Sequence, residues 1–445
     1  MKSVALHNLG CKVNAYEMDV MQQMLQEKGY QIVPFDKKAD IYIVNTCTVT
    51  NIADRKSRQM LHRAKKQNPD AIVVAVGCYV QNGTEAVEND ESIDLAIGNN
   101  RKKDLVRIIE EYLDSRQASD AVIDIAEADE YEEMQLKETA EHTRAYIKIQ
   151  DGCNQFCTYC AIPLARGRVR SRSAEHIIEE VEGLARVGYH EIVLTGIHIS
   201  SYGLDFLGIK SADYRDACQK GYLLDLIEAL AQIPGIERIR LGSLEPRIIT
   251  EEFVTRLSAC EKICPHFHLS LQSGCDETLK RMNRHYNCAQ FAEGVRLLRR
   301  AFEHVAVTTD VIVGFPGETE EEFEESKAFL DRIGFYEMHV FKYSKRAGTP
   351  AAAMKNQVPD TVKAKRSDEL LAMDERHSHA YRQQYIGTEI TILLEEEKVI
   401  DGVHYMVGHT GDYVLAAVET KEAANSFVTG KAVSFLTNDI LLLKK

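Results

Sequence analysis

The chain has 445 residues, room for about three domains at roughly 150 residues each. Its apolar fraction of 44% is ordinary for globular domains. No stretch approaches the roughly 18 apolar residues of a membrane span, and the first ten residues carry no long apolar run, so a cytoplasmic protein is expected. The net charge of −14 weighs against a nucleic-acid partner, but its distribution matters more than its sum. Acidity is concentrated between Glu110 and Glu141, while basic clusters lie at 55–66, 166–172 and 280–284. Each cluster by itself reads as a solvated face at least as well as an RNA contact.

In chain order, residues 1–114 alternate strand-like runs (3–8, 41–45, 71–76, 94–97) with helical patterns near 15–28 and 52–67. That alternation predicts a parallel sheet with right-handed crossovers. Residues 115–143 lose the rhythm, turn acidic and read as an exposed connector. From 144 the βα alternation resumes, with strands expected at 145–150, 191–195, 238–242, 266–271, 306–313 and 337–343. Six such units curl into an open (β/α)6 partial barrel, two short of the closed form. This core is expected to reach 375. Residues 351–380 read as a charged helix after Ala351–Ala353, and from Gly387 the pattern changes to short strands punctuated by Gly402, Gly408, Gly411 and Gly430, the pattern of a small all-β barrel, with that module expected over 376–445. The fold class is therefore α/β with a C-terminal β module.

Eleven cysteines in a chain without a secretion signal are expected to be reduced. Cys153, Cys157 and Cys160 follow the first strand of the central domain at C-x3-C-x2-C spacing. Three thiolates on one loop can hold three irons of a 4Fe–4S cube and leave the fourth open. A zinc site lacking one ligand, or chance clustering, is the alternative. Cys11, Cys47 and Cys78 are far apart in sequence, yet each closes a predicted strand. In a parallel sheet their loops share one edge, where open α/β sheets bind ligands. Three unrelated buried cysteines would explain them as well. Cys218, Cys260, Cys264, Cys275 and Cys288 lack useful spacing and read as ordinary thiols.

The Gln150–Cys160 segment, with Tyr159 between two of its cysteines, resembles the radical S-adenosylmethionine superfamily over the whole central domain. That resemblance implies a cluster whose open iron chelates S-adenosylmethionine and whose electron yields a 5′-deoxyadenosyl radical. It implies cofactor contacts from Tyr159, Thr195, Gly196, Ser243, Glu245, Ser270, Gln272, Val311 and Gly314, most of them at C-terminal strand ends. The three-part organisation, with Cys11, Cys47 and Cys78 in front and a TRAM-like RNA-binding barrel behind, resembles the methylthiotransferases. It implies a second 4Fe–4S cluster on those three cysteines, a tRNA substrate, and an electron donor and sulfur source that the sequence does not identify. Within that family the loop from Ile162 to Arg172 is most similar to the branch acting on N6-threonylcarbamoyladenosine at position 37. Arg166, Arg168, Arg170 and Arg172 are its expected substrate contacts, since an arginine fork suits a carboxylate. Phosphate binding or helix capping would equally explain these arginines. Lys398, His404 and His409 are expected on an RNA-facing surface of the barrel, or on an ordinary one. The alternatives are isopentenyladenosine in tRNA, a ribosomal aspartate, or a non-catalytic iron–sulfur RNA-binding protein.

Overall fold

The structure, a computed structural model, describes residues 2–117, 121–138, 143–208 and 213–445. The first sheet is parallel throughout, in the order β2-β1-β3-β4-β5. Its strands are β1 Ser3–Asn8, β2 Gln31–Val33, β3 Ile41–Thr46, β4 Ile72–Gly77 and β5 Leu95–Ile97. β3 and β4 are buried along their whole length, as strands covered on both faces must be. The short β2 was not anticipated, because three residues carry no periodicity.

The central strands are β6 Ala145–Asp151, β7 Arg170–Ser171, β8 Glu191–Gly196, β9 Arg238–Leu241, β10 His266–His268, β11 Ala306–Val313 and β12 Glu337–Lys342. One sheet runs β7-β6-β8-β9 and another β10-β11-β12. Parallel bridges Ile239↔Ile263 and Leu244↔Leu269 join them into one arc. All six long strands are parallel, and only the two-residue β7 runs the other way. The arc is open, as expected of six units.

The helix α1, Lys12–Glu27, lays Tyr16, Met18, Val20 and Met21 into the same core as Ile147 and Ile149 of β6, so the first two domains share one apolar interior. The connector is not the exposed strand of chain the sequence suggested. Among its described residues Ile125, Met134 and Leu136 are buried. Ala121 bridges Ile97, and the Tyr131 hydroxyl donates to the Lys148 carbonyl at 2.8 Å. Two of its glutamates are held: Glu133 accepts from Arg172 Nε at 3.0 Å and Glu132 from the Lys103 amide at 2.8 Å, while Asp124, Glu127 and Glu130 stay exposed.

A charged helix, Asp360–Gln383, packs along β12, and the expected boundary at 375 falls inside it. Beyond it, β13 Glu389–Ile400, β14 Val403–His409, β15 Leu415–Val418, β16 Phe427–Phe435 and β17 Leu441–Lys444 close into a barrel in the order β13-β14-β15-β17-β16. This barrel seats on the N-terminal ends of the central strands. Arg238 Nη1 donates to the His409 carbonyl at 2.9 Å, Arg240 Nη1 to the Gly411 carbonyl at 2.8 Å, and Arg144 Nη2 to Glu395 at 2.8 Å. His409 is therefore not a free surface residue: its Nδ1 lies 2.6 Å from Glu395 and its ring stacks on Tyr413 at 4.4 Å. Lys398 is half-buried and His404 exposed, each beside a glutamate. Among the described residues no helix is long and apolar enough to cross a membrane.

Candidate iron–sulfur and cofactor site

The loop carrying Cys153, Cys157 and Cys160 is sewn down at every turn. Gly152 has φ +71°, and a Cβ there would lie 1.8 Å from the Arg168 carbonyl oxygen, so only glycine fits. The Cys153 amide donates to the Gly167 carbonyl at 3.0 Å. The Thr158 amide reaches the Met282 carbonyl at 3.0 Å, and the Cys160 amide the Cys157 carbonyl at 3.0 Å. Burial pushes the Cys160 thiol up to about 12, with Cys157 adding to it, and Cys153 rises for the same reasons. Cys153 and Cys160, raised in this way, resist ionising without a cation, and with Cys157 they form the donor set a metal cluster takes.

One cation is already there. Arg284 Nη1 donates to Cys157 Sγ at 3.1 Å, while its Nη2 holds the Ser270 carbonyl at 3.3 Å. The sequence reading missed Arg284; its place in a basic cluster was the only signal. It also missed His198. Burial, then Arg284 and Arg247, lower that imidazole to about 3, and its Nε2 is buried without a partner.

The expected cofactor contacts fall around this loop unevenly. Tyr159 sets its ring edge-on to Phe315 at 6.3 Å. Thr195 and Gly196 close β8, and a Cβ on Gly196 would lie 2.9 Å from the Gln150 carbonyl oxygen. Ser243 is exposed, whereas Glu245 is buried and takes Arg247 Nε at 3.1 Å. Gln272 holds φ +73° and its amide donates to the Asp310 carbonyl at 2.9 Å, next to Val311. Val311 is buried, so only its backbone is available, and the Gly314 amide is already held by Glu318 at 2.6 Å.

The second triplet comes together from three strand ends. Gly10, at φ +107°, lies so close to the β3 loop that a Cβ would be 3.2 Å from Cys47 Sγ. Asn14 Nδ2 ties Leu9 and Thr46 carbonyls at 2.7 and 3.0 Å. Thr46 Oγ1 donates to the Val76 carbonyl at 2.6 Å and receives the Tyr79 amide at 3.2 Å. Burial pushes Cys47 up to about 11, and the nearby thiols of Cys78 and Cys11 push the same way; Cys11 is raised too. The structure thus brings Cys11, Cys47 and Cys78 within electrostatic reach of one another.

The expected substrate arginines are corrected by their surroundings. Arg166 is fully buried: Nε donates to Cys78 Sγ at 3.3 Å, Nη1 to Glu17 at 2.6 Å, and Nη2 to Asn14 at 2.6 Å. Lys148 and Lys102 complete the charge balance around Glu17 and Asp151. Arg170 gives its fork to the carbonyls of Arg166 and Ala128. Arg172 is spent on Glu133, Glu180 and Tyr16. All three are buried and committed to protein partners, Arg166 and Arg172 reaching the first domain, and only the buried Arg170 Nε is left without a partner. Arg168 alone is exposed, its guanidinium over Phe156 at 4.4 Å.

Residues 147–330 match the Radical SAM superfamily, and residues 3–98 match the Uncharacterized protein family UPF0004. The chain also resembles a solved radical S-adenosylmethionine methyltransferase, TsrM from Kitasatospora setae, with TM-score 0.56 at 15% identity over 79% of this chain and 74% of that one. That likeness is one of fold. The fold and the cysteine loop define a radical S-adenosylmethionine enzyme, a class that carries a 4Fe–4S cluster and S-adenosylmethionine.

The relatives narrow this further. The chain is 42% identical to the threonylcarbamoyladenosine tRNA methylthiotransferase MtaB of Bacillus subtilis (strain 168), over 93% of this chain and 90% of that one. It is 35% identical to the tRNA-2-methylthio-N(6)-dimethylallyladenosine synthase of Acetivibrio thermocellus, over 88% and 81%. The chain belongs to the tRNA methylthiotransferase family.

Proposed function

We propose that this chain places a methylthio group on carbon 2 of N6-threonylcarbamoyladenosine at position 37 of tRNA. The observation that carries the reading is the convergence of Cys11, Cys47 and Cys78 beside a radical core, with Arg166 fastened to both. Cys153, Cys157 and Cys160 would hold the cluster that binds S-adenosylmethionine, with Tyr159, Thr195, Gly196, Ser243, Glu245, Ser270 and Gln272 around it. Cys11, Cys47 and Cys78 would hold a second 4Fe–4S cluster that carries sulfur. The bound cofactor supplies a carbon radical, which an aromatic C–H bond requires because acid–base chemistry does not touch it at neutral pH.

The chain's own residues do the rest. Arg284 places positive charge against Cys157, and hydrogen bonds to cluster sulfurs raise a cluster's potential. Arg166 does the same at Cys78. His198, kept neutral by burial, offers a lone pair or an N–H but no charge. The C-terminal barrel serves as the TRAM-like grip on tRNA, in the cytoplasm, and an electron donor and a sulfur source complete the system. The threonylcarbamoyl substrate is favoured over the dimethylallyl one by the higher identity to a relative named for it.

Mass spectrometry of nucleosides tests this. The reconstituted enzyme, a reductant, S-adenosylmethionine and tRNA carrying threonylcarbamoyladenosine should yield the 2-methylthio product. Product only from dimethylallyladenosine, or from neither nucleoside, would refute the assignment.

A further inference from the structure

Inside the central arc, away from both cysteine loops, one side-chain cluster has no role in the chemistry above. His268 of β10, Asp310 of β11 and His339 of β12 bring one ring nitrogen or carboxylate oxygen each within 4.8 Å of one another. His268 Nε2 lies 3.4 Å from Asp310 Oδ2, and the rings of His268 and His339 stack at 5.7 Å. Because β11 lies between β10 and β12, rings from the outer two strands meet only on the concave side of the sheet. Met338 and Val340 point the other way, into the helix-covered core. Glu337, His339 and Phe341 therefore face the interior.

The interior is layered by strand register. Asp310 pairs with His339, and Ile312 pairs with Phe341 two residues nearer the C-terminal strand ends. Two residues of strand span roughly 6.6 Å. Phe341 is 45% exposed although it is a large apolar side chain. An apolar shelf, Ile312 and Phe341, thus lies between the cofactor rim and the His268–Asp310–His339 layer. On the far side the C-terminal barrel closes the arc, where His266 stacks on Tyr413 at 4.7 Å. Of the three, His339 also lines a cleft of about 870 Å³, together with Glu337, Arg382, His409 and Tyr413.

We propose that this layer reads the substituent on the exocyclic nitrogen of the substrate adenine. The inference rests on the proposed function and names the recognition chemistry it needs. A threonylcarbamoyl group offers ureido N–H donors, a hydroxyl and a carboxylate. Asp310 accepts from an N–H or the hydroxyl. His339, exposed to the interior, donates to the carboxylate. His268 lies beside Asp310, Nε2 to Oδ2 3.4 Å without a hydrogen bond between them, and its ring is oriented by the Nδ1 contact to Thr308 Oγ1 at 3.0 Å, which leaves the Asp310 oxygens open to accept from a ligand. Ile312 and Phe341 give the flat base an apolar face. A plain hydrocarbon substituent would leave Asp310 and His339 unpaired on burial, which is how a polar pocket rejects an apolar analogue.

The test uses the holoenzyme and synthetic anticodon stem–loops carrying the threonylcarbamoyl group as free acid or as methyl ester. Wild-type protein should show a KM for the acid about tenfold below that for the ester, the worth of one charge-assisted hydrogen bond. His339→Ala should abolish that preference by raising the KM for the acid alone, and Asp310→Asn should raise KM for both. His339→Gln, which keeps an N–H donor, should restore part of the preference, a rescue that general destabilisation would not give. An unchanged acid-to-ester ratio in His339→Ala, with wild type modifying the acid, overturns this inference and leaves the proposed function standing. No methylthio product from wild type on either stem–loop overturns both. One zinc per holoenzyme chain, lost in His339→Ala at unchanged iron, would make the cluster a metal site and overturn it as well.

Discussion

Arg166 Nε sits 3.3 Å from Cys78 Sγ, so one buried guanidinium joins the first sheet's cysteine triplet to the helix that follows the second triplet. Its remaining donors hold Glu17 and Asp151, and both carboxylates are drawn below their usual range despite burial, by Arg166 first and Lys102 or Lys148 next. Removing one member of such a network strands the others.

Arg166→Met should therefore cost about 3–5 kcal/mol of stability, the range for breaking a buried pair from one side. A fall in thermal midpoint together with lower iron at the Cys11–Cys47–Cys78 site is the expected result. An unchanged midpoint would mean the network contributes nothing net.

The junction with the C-terminal barrel should be acid-labile. Burial would raise the Glu191 carboxyl, but Arg240 and then Arg144 outweigh it, and the folded value lies below the usual one. A depressed carboxyl contributes stability that is complete above its unfolded value, near 4.3, and is lost as pH falls through the lower folded value. Urea midpoints of the cluster-free chain should drop more steeply below about pH 4 than those of Glu191→Gln, which should be weaker at pH 7 and flatter in acid. Parallel curves for the two proteins would exclude this origin.

Gly152→Ala should empty the cofactor-binding cluster without touching a ligand. The added Cβ meets the Arg168 carbonyl at 1.8 Å, at a φ that alanine rarely adopts. Iron analysis should find about four irons per chain in place of about eight, if each triplet holds a four-iron cube. Full iron content would show that the loop can move aside.

The two triplets should also separate in function. Cys157→Ala should end 5′-deoxyadenosine formation from S-adenosylmethionine. Cys47→Ala should keep that cleavage and lose methylthio insertion. Cleavage lost in both variants would mean that one triplet cannot stand without the other.

Much of this was legible in the chain itself. C-x3-C-x2-C is a local spacing, so its loop follows from the sequence alone. Cys11, Cys47 and Cys78 could be placed on one sheet edge because apolar runs of strand length end at each, and parallel strands must present their ends together. The open arc followed from counting six βα units. What sequence could not decide was which charges have partners. Arg166 meets Glu17 across 149 residues, and Arg172 meets Tyr16 across 156. A run of arginines looks the same whether it faces water or carboxylates from another domain, because burial is set by which surfaces pack together. The meeting of His268, Asp310 and His339 is of the same kind. Each is one of several polar residues in its strand, and only the curvature of the sheet turns the three toward a common point.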